Sequence, residues 1–238
     1  MQTRFLYYLR CDVKFHNMCG RYSNGEKITI TTRFAEQKTF HLEPHYNNAP
    51  TQRRAVLMLK DGKMIEEERR WGNFPKWAKD TKEYPMINLK AETILEKFRN
   101  VVTNNRCLVP ADGFYEWEKT PTEKLPWRFV LKSGEPFCFA GVYDTFTPKP
   151  TSEDDEPQPL NTYAILTIEP NRLVKKIHDR MPVILRPEQY DLWLNPQPFE
   201  DSFKSALQTL PEDLMESYRV SKLVNSAKND TPDLLKPI

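Results

Sequence analysis

Glycine is scarce in this chain, with seven scattered singly among 238 residues. There is no G-x-G-x-x-G string and no Walker loop, so nucleotide-dependent chemistry built on a glycine-lined phosphate nest falls away. H-E-x-x-H is missing too, which removes the commonest zinc-protease arrangement. Four cysteines (Cys11, Cys19, Cys107, Cys138) show no C-x-x-C spacing and no paired histidines nearby. A zinc site and a disulfide framework are both disfavoured, and a reducing, cytoplasmic compartment is expected. The longest clean apolar run, Phe137 to Tyr143, falls far short of the roughly 18 residues that cross a membrane. Met1 to Met18 lacks the uninterrupted apolar segment of a secretory signal and reads as an upstream extension. No fixed-period repeat exists, which excludes solenoids and propellers. The net charge of +2 neither announces nor forbids a nucleic-acid partner.

What is present is a soluble, loop-rich chain with 20 prolines, long enough for a substantial core in one large or two small domains. Between Arg53 and Arg70 the alternation of Ala55, Leu57 and Leu59 ahead of Asp61-Gly62 predicts a hairpin. Ala91, Ile94, Leu95 and Phe98 fall on one face of a short helix ending at Arg99. Strands are expected at Cys107 to Val109, Phe114 to Trp117, Trp127 to Leu131, Phe137 to Tyr143 and Tyr163 to Ile168. Asn171 is placed to cap a short helix that ends before His178, and a further helix fits Pro198 to Leu210. Glu26 to Phe40 suits strand or helix. Thr147 to Leu160, rich in proline and acid, reads as an exposed loop. Strands in the middle with helices around them indicate a single α+β domain.

Few residues could carry chemistry. If Met18 were the initiator, the small side chain after it would allow its removal and leave Cys19 with a free α-amine beside its thiol. Such an amine, with a reference pKa near 7.7 to 8.0, attacks aldehydes, and the thiol then closes a five-membered ring. An internal cysteine is more often a small buried hydrophobe. His178, at a predicted helix end, suits acid, base or donor work, and equally a C-terminal cap. Glu116 shares a strand face with Phe114 and Glu118, where an inward carboxyl flanked by aromatics would have a raised pKa; a solvent-facing edge is the plainer reading. Asn88 precedes the short helix and fits a turn or cap. Arg69-Arg70-Trp71-Gly72 and Pro75-Lys76-Trp77-Ala78-Lys79 interleave aromatics with cations, as in proteins that stack unpaired bases, though such pairs are also routine neighbours.

Taken in order, seven strings resemble the SOS response-associated peptidase (SRAP) family, to which abasic-site-shielding proteins belong. They are Met18-Cys19-Gly20-Arg21-Tyr22, Tyr46 to Gln52, Arg70-Trp71-Gly72 with Pro75 and Trp77, Ile87 to Thr93, Arg106 to Trp117, His178 to Leu185, and Val220 to Ser226. Together they span nearly everything from Met18 onward. The resemblance implies a curved, mainly antiparallel, barrel-like β core with peripheral helices over residues 19 to 238, with residues 1 to 18 an extension or removed pro-segment. It implies covalent capture of abasic sites in single-stranded DNA through a thiazolidine on Cys19. Asn88 would orient that residue, Glu116 would shuttle protons, and His178 would assist sugar opening and imine formation. Arg21, Lys90 and Arg180 would meet phosphates, while Pro50, Trp71 and Trp117 would shape the surface beside the lesion. No metal or cofactor, no membrane and a monomeric, cytoplasmic or nucleoid-associated protein are expected.

Two departures stand out. The family's Asn-x-Arg reads Asn88-Leu89-Lys90 here, and lysine lacks the planar bidentate fork. Eighteen residues also precede Cys19, so its amine is an amide until translation starts at Met18 or the extension is cleaved. A cysteine peptidase using Cys19, His178 and Glu116 and a noncovalent single-strand binding module remain competing readings.

Overall fold

The computed structural model describes residues 19–25, 28–32, 38–75, 77–81, 85–150, 152, 156–195, 203 and 206–238. In chain order its first strands are β1 (Tyr22–Asn24), β2 (Ile28–Thr32), β3 (Lys38–Leu42), β4 (His45–Asn48), β5 (Arg53–Lys60), β6 (Lys63–Trp71) and β7 (Asn88–Lys90). The helix α1 (Ala91–Asn104) follows, then β8 (Arg106–Ala111), β9 (Gly113–Lys119), β10 (Lys124–Leu131), β11 (Phe137–Phe146) and β12 (Leu160–Ile168). The short α2 (Arg172–Lys175), β13 (Met181–Pro182), β14 (Ile184–Leu185), α3 (Pro187–Leu194) and β15 (Met215–Arg219) complete the set, with single-turn 3-10 helices near the end.

A closed five-stranded barrel organises the molecule. The β5–β6 hairpin pairs in full from Arg53↔Arg70 to Lys60↔Lys63. Its Asp61 and Gly62 both have positive φ, the backbone that a two-residue hairpin turn with native twist demands. From β5 the ladder passes antiparallel to β8, β11 and β12. A parallel register, Thr162↔Arg70 and Tyr163↔Trp71, then closes β12 onto β6. The barrel interior is filled by Val56, Met58, Cys107, Val109, Phe139 and Ile165, all within 1% of full burial.

Outside it, β2 and β3 form a hairpin and pack with α1 and α3 against Leu57, Leu108, Ala140 and Leu166. A second antiparallel sheet, in the order β15-β10-β9-β1-β4, lays Tyr22, Phe114 and Phe129 into the same cluster as the barrel interior. The α+β, mainly antiparallel, barrel-like expectation is met.

The five expected central strands are all present and extend beyond their sequence-read ends. The segment that was ambiguous is β2 and β3, because Ile28, Ile30, Phe40 and Leu42 alternate inward. The helix read as ending at Arg99 runs to Asn104 across a kink at Phe98. The expected helix over Pro198 to Leu210 falls largely outside the described residues, although Phe203 and Ala206 are buried. Residues 1 to 18 also lie outside them. Thr147 to Pro159 connects β11 to β12, and its described residues carry no regular structure.

Candidate active site and nucleic-acid interface

Cys19 lies just ahead of β1, whose pairing with β9 through Tyr22↔Phe114 is prolonged by the Tyr115 N–H donating to the Arg21 carbonyl at 3.0 Å. Because the two strands run antiparallel, the chain beyond Tyr115 passes beside Cys19, and the Glu116 carboxyl meets the cysteine side chain. Both residues are nearly sealed, at 2% and 3% exposure.

Asn88 arrives from another direction. Gly72 ends β6 with φ +130, where a Cβ would come within 2.6 Å of Pro85, so only glycine fits. The chain leaves the barrel there and returns as β7, parallel to β12 with Ile165↔Asn88. The Asn88 amide then donates from Nδ2 to the Cys19 carbonyl at 3.0 Å. Leu89 is core and Lys90 exposed, as alternation requires.

His178 is set by α2. Asn171 caps that helix, accepting from the Val174 N–H at 3.0 Å, and the His178 N–H donates to the Val174 carbonyl at 2.9 Å. The imidazole Nδ1 sits 3.1 Å from the Arg180 N–H and 3.2 Å from Asp179 Oδ1. Without a proton Nδ1 accepts from that N–H, and with one it donates to Asp179 or to the Arg180 carbonyl, also at 3.2 Å. The Asp179 charge also reaches Glu116, so the His178 loop lies on the Glu116 side of the molecule within electrostatic range.

Electrostatically this nook favours uncharged groups. Burial pushes the Glu116 carboxyl well above its usual range, and the bond with Cys19 only partly offsets it. Burial, reinforced by Glu116, raises the Cys19 thiol. Burial lowers the His178 imidazole against the pull of Asp179. Two acceptors, Glu116 Oε1 and Asn88 Oδ1, are buried without a hydrogen-bond partner. A buried carboxyl and amide with unused capacity are costly to keep, so the nook is equipped to bond something further. Among the described residues no cluster of His, Cys, Asp or Glu could hold a metal ion.

Around the nook the expected DNA contacts divide. Arg21 lies over the Trp117 ring at 5.8 Å, half-buried at the border of the site. Pro50 stands half-exposed at a tight turn whose Thr51 has φ +72 and donates to the Trp71 carbonyl at 2.9 Å. Trp71 does not shape the surface. It is 1% exposed, stacks on Tyr163, meets Tyr22 edge-on, and donates its indole N–H to the Ile87 carbonyl at 2.9 Å. Its part is to brace the segment carrying Asn88. The tryptophan from the same basic stretch that does reach solvent is Trp77, at 71% exposure, and only its neighbours' charge hinted at it. Arg180 is not free for phosphate either. Its Nη1 and Nη2 each donate to a Glu92 carboxylate oxygen at 2.7 Å, and Nη2 also donates to the Thr167 carbonyl at 2.6 Å. A phosphate would have to displace Glu92, leaving exposed Lys90 as the available cation beside Asn88.

The fold and site define an α+β barrel protein with a cysteine-centred nook at the edge where a second sheet and an excursion from the barrel meet. The chain belongs to the SOS response associated peptidase (SRAP) family, whose model matches residues 18–227. It is 43% identical over 233 residues to the abasic site processing protein YoqW of Bacillus subtilis, covering 92% of this chain and 99% of that one. It is 28% identical to the abasic site processing protein HMCES of Gallus gallus, covering 82% of this chain and 66% of that one. A crystal structure of a protein from Bacteroides thetaiotaomicron superposes with a TM-score of 0.71 at 26% identity, covering 83% of this chain and 87% of that one.

Proposed function

We propose that this protein captures abasic sites in single-stranded DNA by bonding the lesion aldehyde to the amine and thiol of Cys19, shielding the strand. One observation carries the reading. Asn88 holds the Cys19 carbonyl at 3.0 Å while Glu116, its carboxyl pushed up by burial, meets the side chain, an arrangement that fixes the backbone and the thiol of one residue beside a proton donor. The names of the relatives support the lesion as substrate, and exposed Trp77 with Trp117 and Arg21 supports an unpaired strand, since stacking and cations together hold single strands.

The chemistry follows from the protonation states. His178 or Glu116 assists opening of the deoxyribose ring to its aldehyde. The Cys19 amine, freed of the preceding residues, adds to the carbonyl carbon. Glu116 donates its proton to the departing hydroxyl, water leaves, and a protonated imine remains. The resulting carboxylate accepts the thiol proton as sulfur attacks the imine carbon and closes the thiazolidine. One aldehyde and one aminothiol yield one ring and one water. Lys90 and Arg21 neutralise flanking phosphates.

A second reading uses the same residues, and the family's description as a peptidase favours it. The Cys19 thiol attacks the carbonyl of Met18, the bond to the Cys19 nitrogen breaks, and water hydrolyses the thioester. That yields a Met18 carboxylate and the free amine that capture needs.

Single-stranded DNA carrying one abasic site, incubated with protein started at Met18 and run on a denaturing gel, tests the proposal. A shifted band is expected with the parent and none with Cys19→Ala. Absence of the band from protein with an authenticated N-terminal Cys19 overturns it. Turnover of a peptide substrate that survives blocking of the α-amine selects the peptidase reading.

A further inference from the structure

The Val220 to Ser226 string matches the family pattern and has no role in the chemistry above. In space it forms the wall behind Trp117. The Trp117 indole N–H donates to Asn225 Oδ1 at 2.7 Å, and the ring packs against a cluster of Tyr115, Val220, Val224 and Leu234. Arg21, which lies over the same ring, donates from Nη1 to the Val224 carbonyl and to Asn47 Oδ1, each at 2.7 Å. Asn47 in turn donates from Nδ2 to the carbonyls of Ser226 at 2.9 Å and Asn229 at 2.7 Å. Asp230 Oδ1 accepts the N–H groups of Tyr46 and Asn47 at 2.5 Å and 3.1 Å. The segment from Val224 to Asp230 is thereby stapled to β4, and at its start Val224 and Asn225 meet Arg21 and Trp117.

We propose that Asn225 is a positioning residue that fixes the plane of Trp117 for stacking on the nucleotide beside the lesion, and so sets how tightly the strand is held before capture. The proposal rests on the reading given under Proposed function. Trp117 is half-buried near the end of β9, and a tryptophan side chain has two soft torsions. Packing on Val220 and Val224 restrains one side of the ring, and the bond from its single donor to Asn225 selects one orientation. Arg21, itself locked by Val224 and Asn47, completes the platform. Asn225 acts through the Trp117 ring that it bonds, so its effect falls on binding and not on bond formation.

Asn225→Ala and Asn225→Gln, started at Met18, would be compared with the parent for the DNA concentration giving half-maximal adduct rate and for the limiting rate. Tryptophan fluorescence titration with intact single-stranded DNA would report noncovalent binding, and thermal unfolding would report stability. Asn225→Ala is expected to raise the half-saturating concentration about fivefold, the scale of one net hydrogen bond, with the limiting rate within about twofold and the fluorescence-derived affinity falling in step. Asn225→Gln, which keeps an amide acceptor, should recover part of the loss. Unchanged half-saturation, or a loss confined to the limiting rate or to thermal stability, overturns the assignment. If the parent forms no adduct yet binds intact DNA with Asn225-dependent affinity, the covalent reading fails and this inference stands.

Discussion

Two carboxyl groups stand four positions apart, Asp112 half-buried in the bend ahead of β9 and Glu116 buried within that strand, and their surroundings are opposite. Asp112 Oδ1 accepts from Ser23 at 2.6 Å and from the Arg128 guanidinium at 2.8 Å, while Oδ2 accepts the Gly25 N–H at 2.7 Å. Arg128 spends its remaining Nη on the Tyr218 hydroxyl at 2.7 Å. Asp112 keeps that guanidinium charged although burial opposes it. Glu116 has Cys19 as its side-chain partner and one carboxyl oxygen with none. Asp112 therefore joins the second sheet together, because a largely buried ion pair whose carboxylate oxygens are both bonded is costly when broken. Glu116 is held in readiness, because a carboxyl whose burial favours the proton and one of whose oxygens has no partner is an acid with work left to do. The same functional group supports the fold in one place and chemistry in the other.

Substitutions that separate those two roles test the contrast. Cys19→Ala, the largest effect on chemistry, should abolish the adduct on denaturing gels while changing the unfolding free energy by about 1 kcal/mol or less. Glu116→Gln should slow single-turnover capture by about 10²-fold, the lower range for losing a positioned general acid, without lowering stability. Asp112→Ala should do the reverse. It strands Arg128 and should cost about 3 kcal/mol in urea unfolding, with capture by the folded fraction largely retained. A capture defect in Asp112→Ala that exceeds its unfolded fraction would erase the contrast.

The pH dependence of stability sharpens it. Folded Glu116 keeps its proton where the unfolded carboxyl, with a reference pKa of about 4.3, has lost it. The unfolded state then binds fewer protons. The contribution of Glu116 is therefore full below that value, declines as pH rises towards the raised folded pKa, and levels off above it. The difference in urea midpoint between parent and Glu116→Gln, followed from about pH 4 to about pH 8, should move in the variant's favour as pH rises; a flat difference would show that Glu116 titrates normally. The smallest expected change is Asn88→Ala, which loses one hydrogen bond to the Cys19 carbonyl and should slow capture about tenfold, measured under the same single-turnover conditions.

Much of the architecture was legible because local pattern and tertiary environment agree. The β5–β6 hairpin follows from alternation and an Asp-Gly turn, and the Asn171 cap from one side chain before a helical run. Strands of two or three residues, such as β1 and β7, left no such pattern, since their pairing partners supply the reason they are extended. Cys19, Glu116 and His178 stood out by residue type and neighbours. The difference between Trp71 and Trp77, six positions apart in one basic stretch, did not, because aromatic character is equally suited to a core and to a surface.

By itself the sequence determined the family, the barrel's hairpins and the short list of reactive side chains, since these depend on residue identity and on contacts close along the chain. Tertiary structure decided which of them converge. It closed β12 onto β6, returned Asn88 to Cys19, committed Arg180 to Glu92 and left Glu116 half-bonded. Each depends on residues far apart in the chain, where burial and partner geometry, not local propensity, set the free energy.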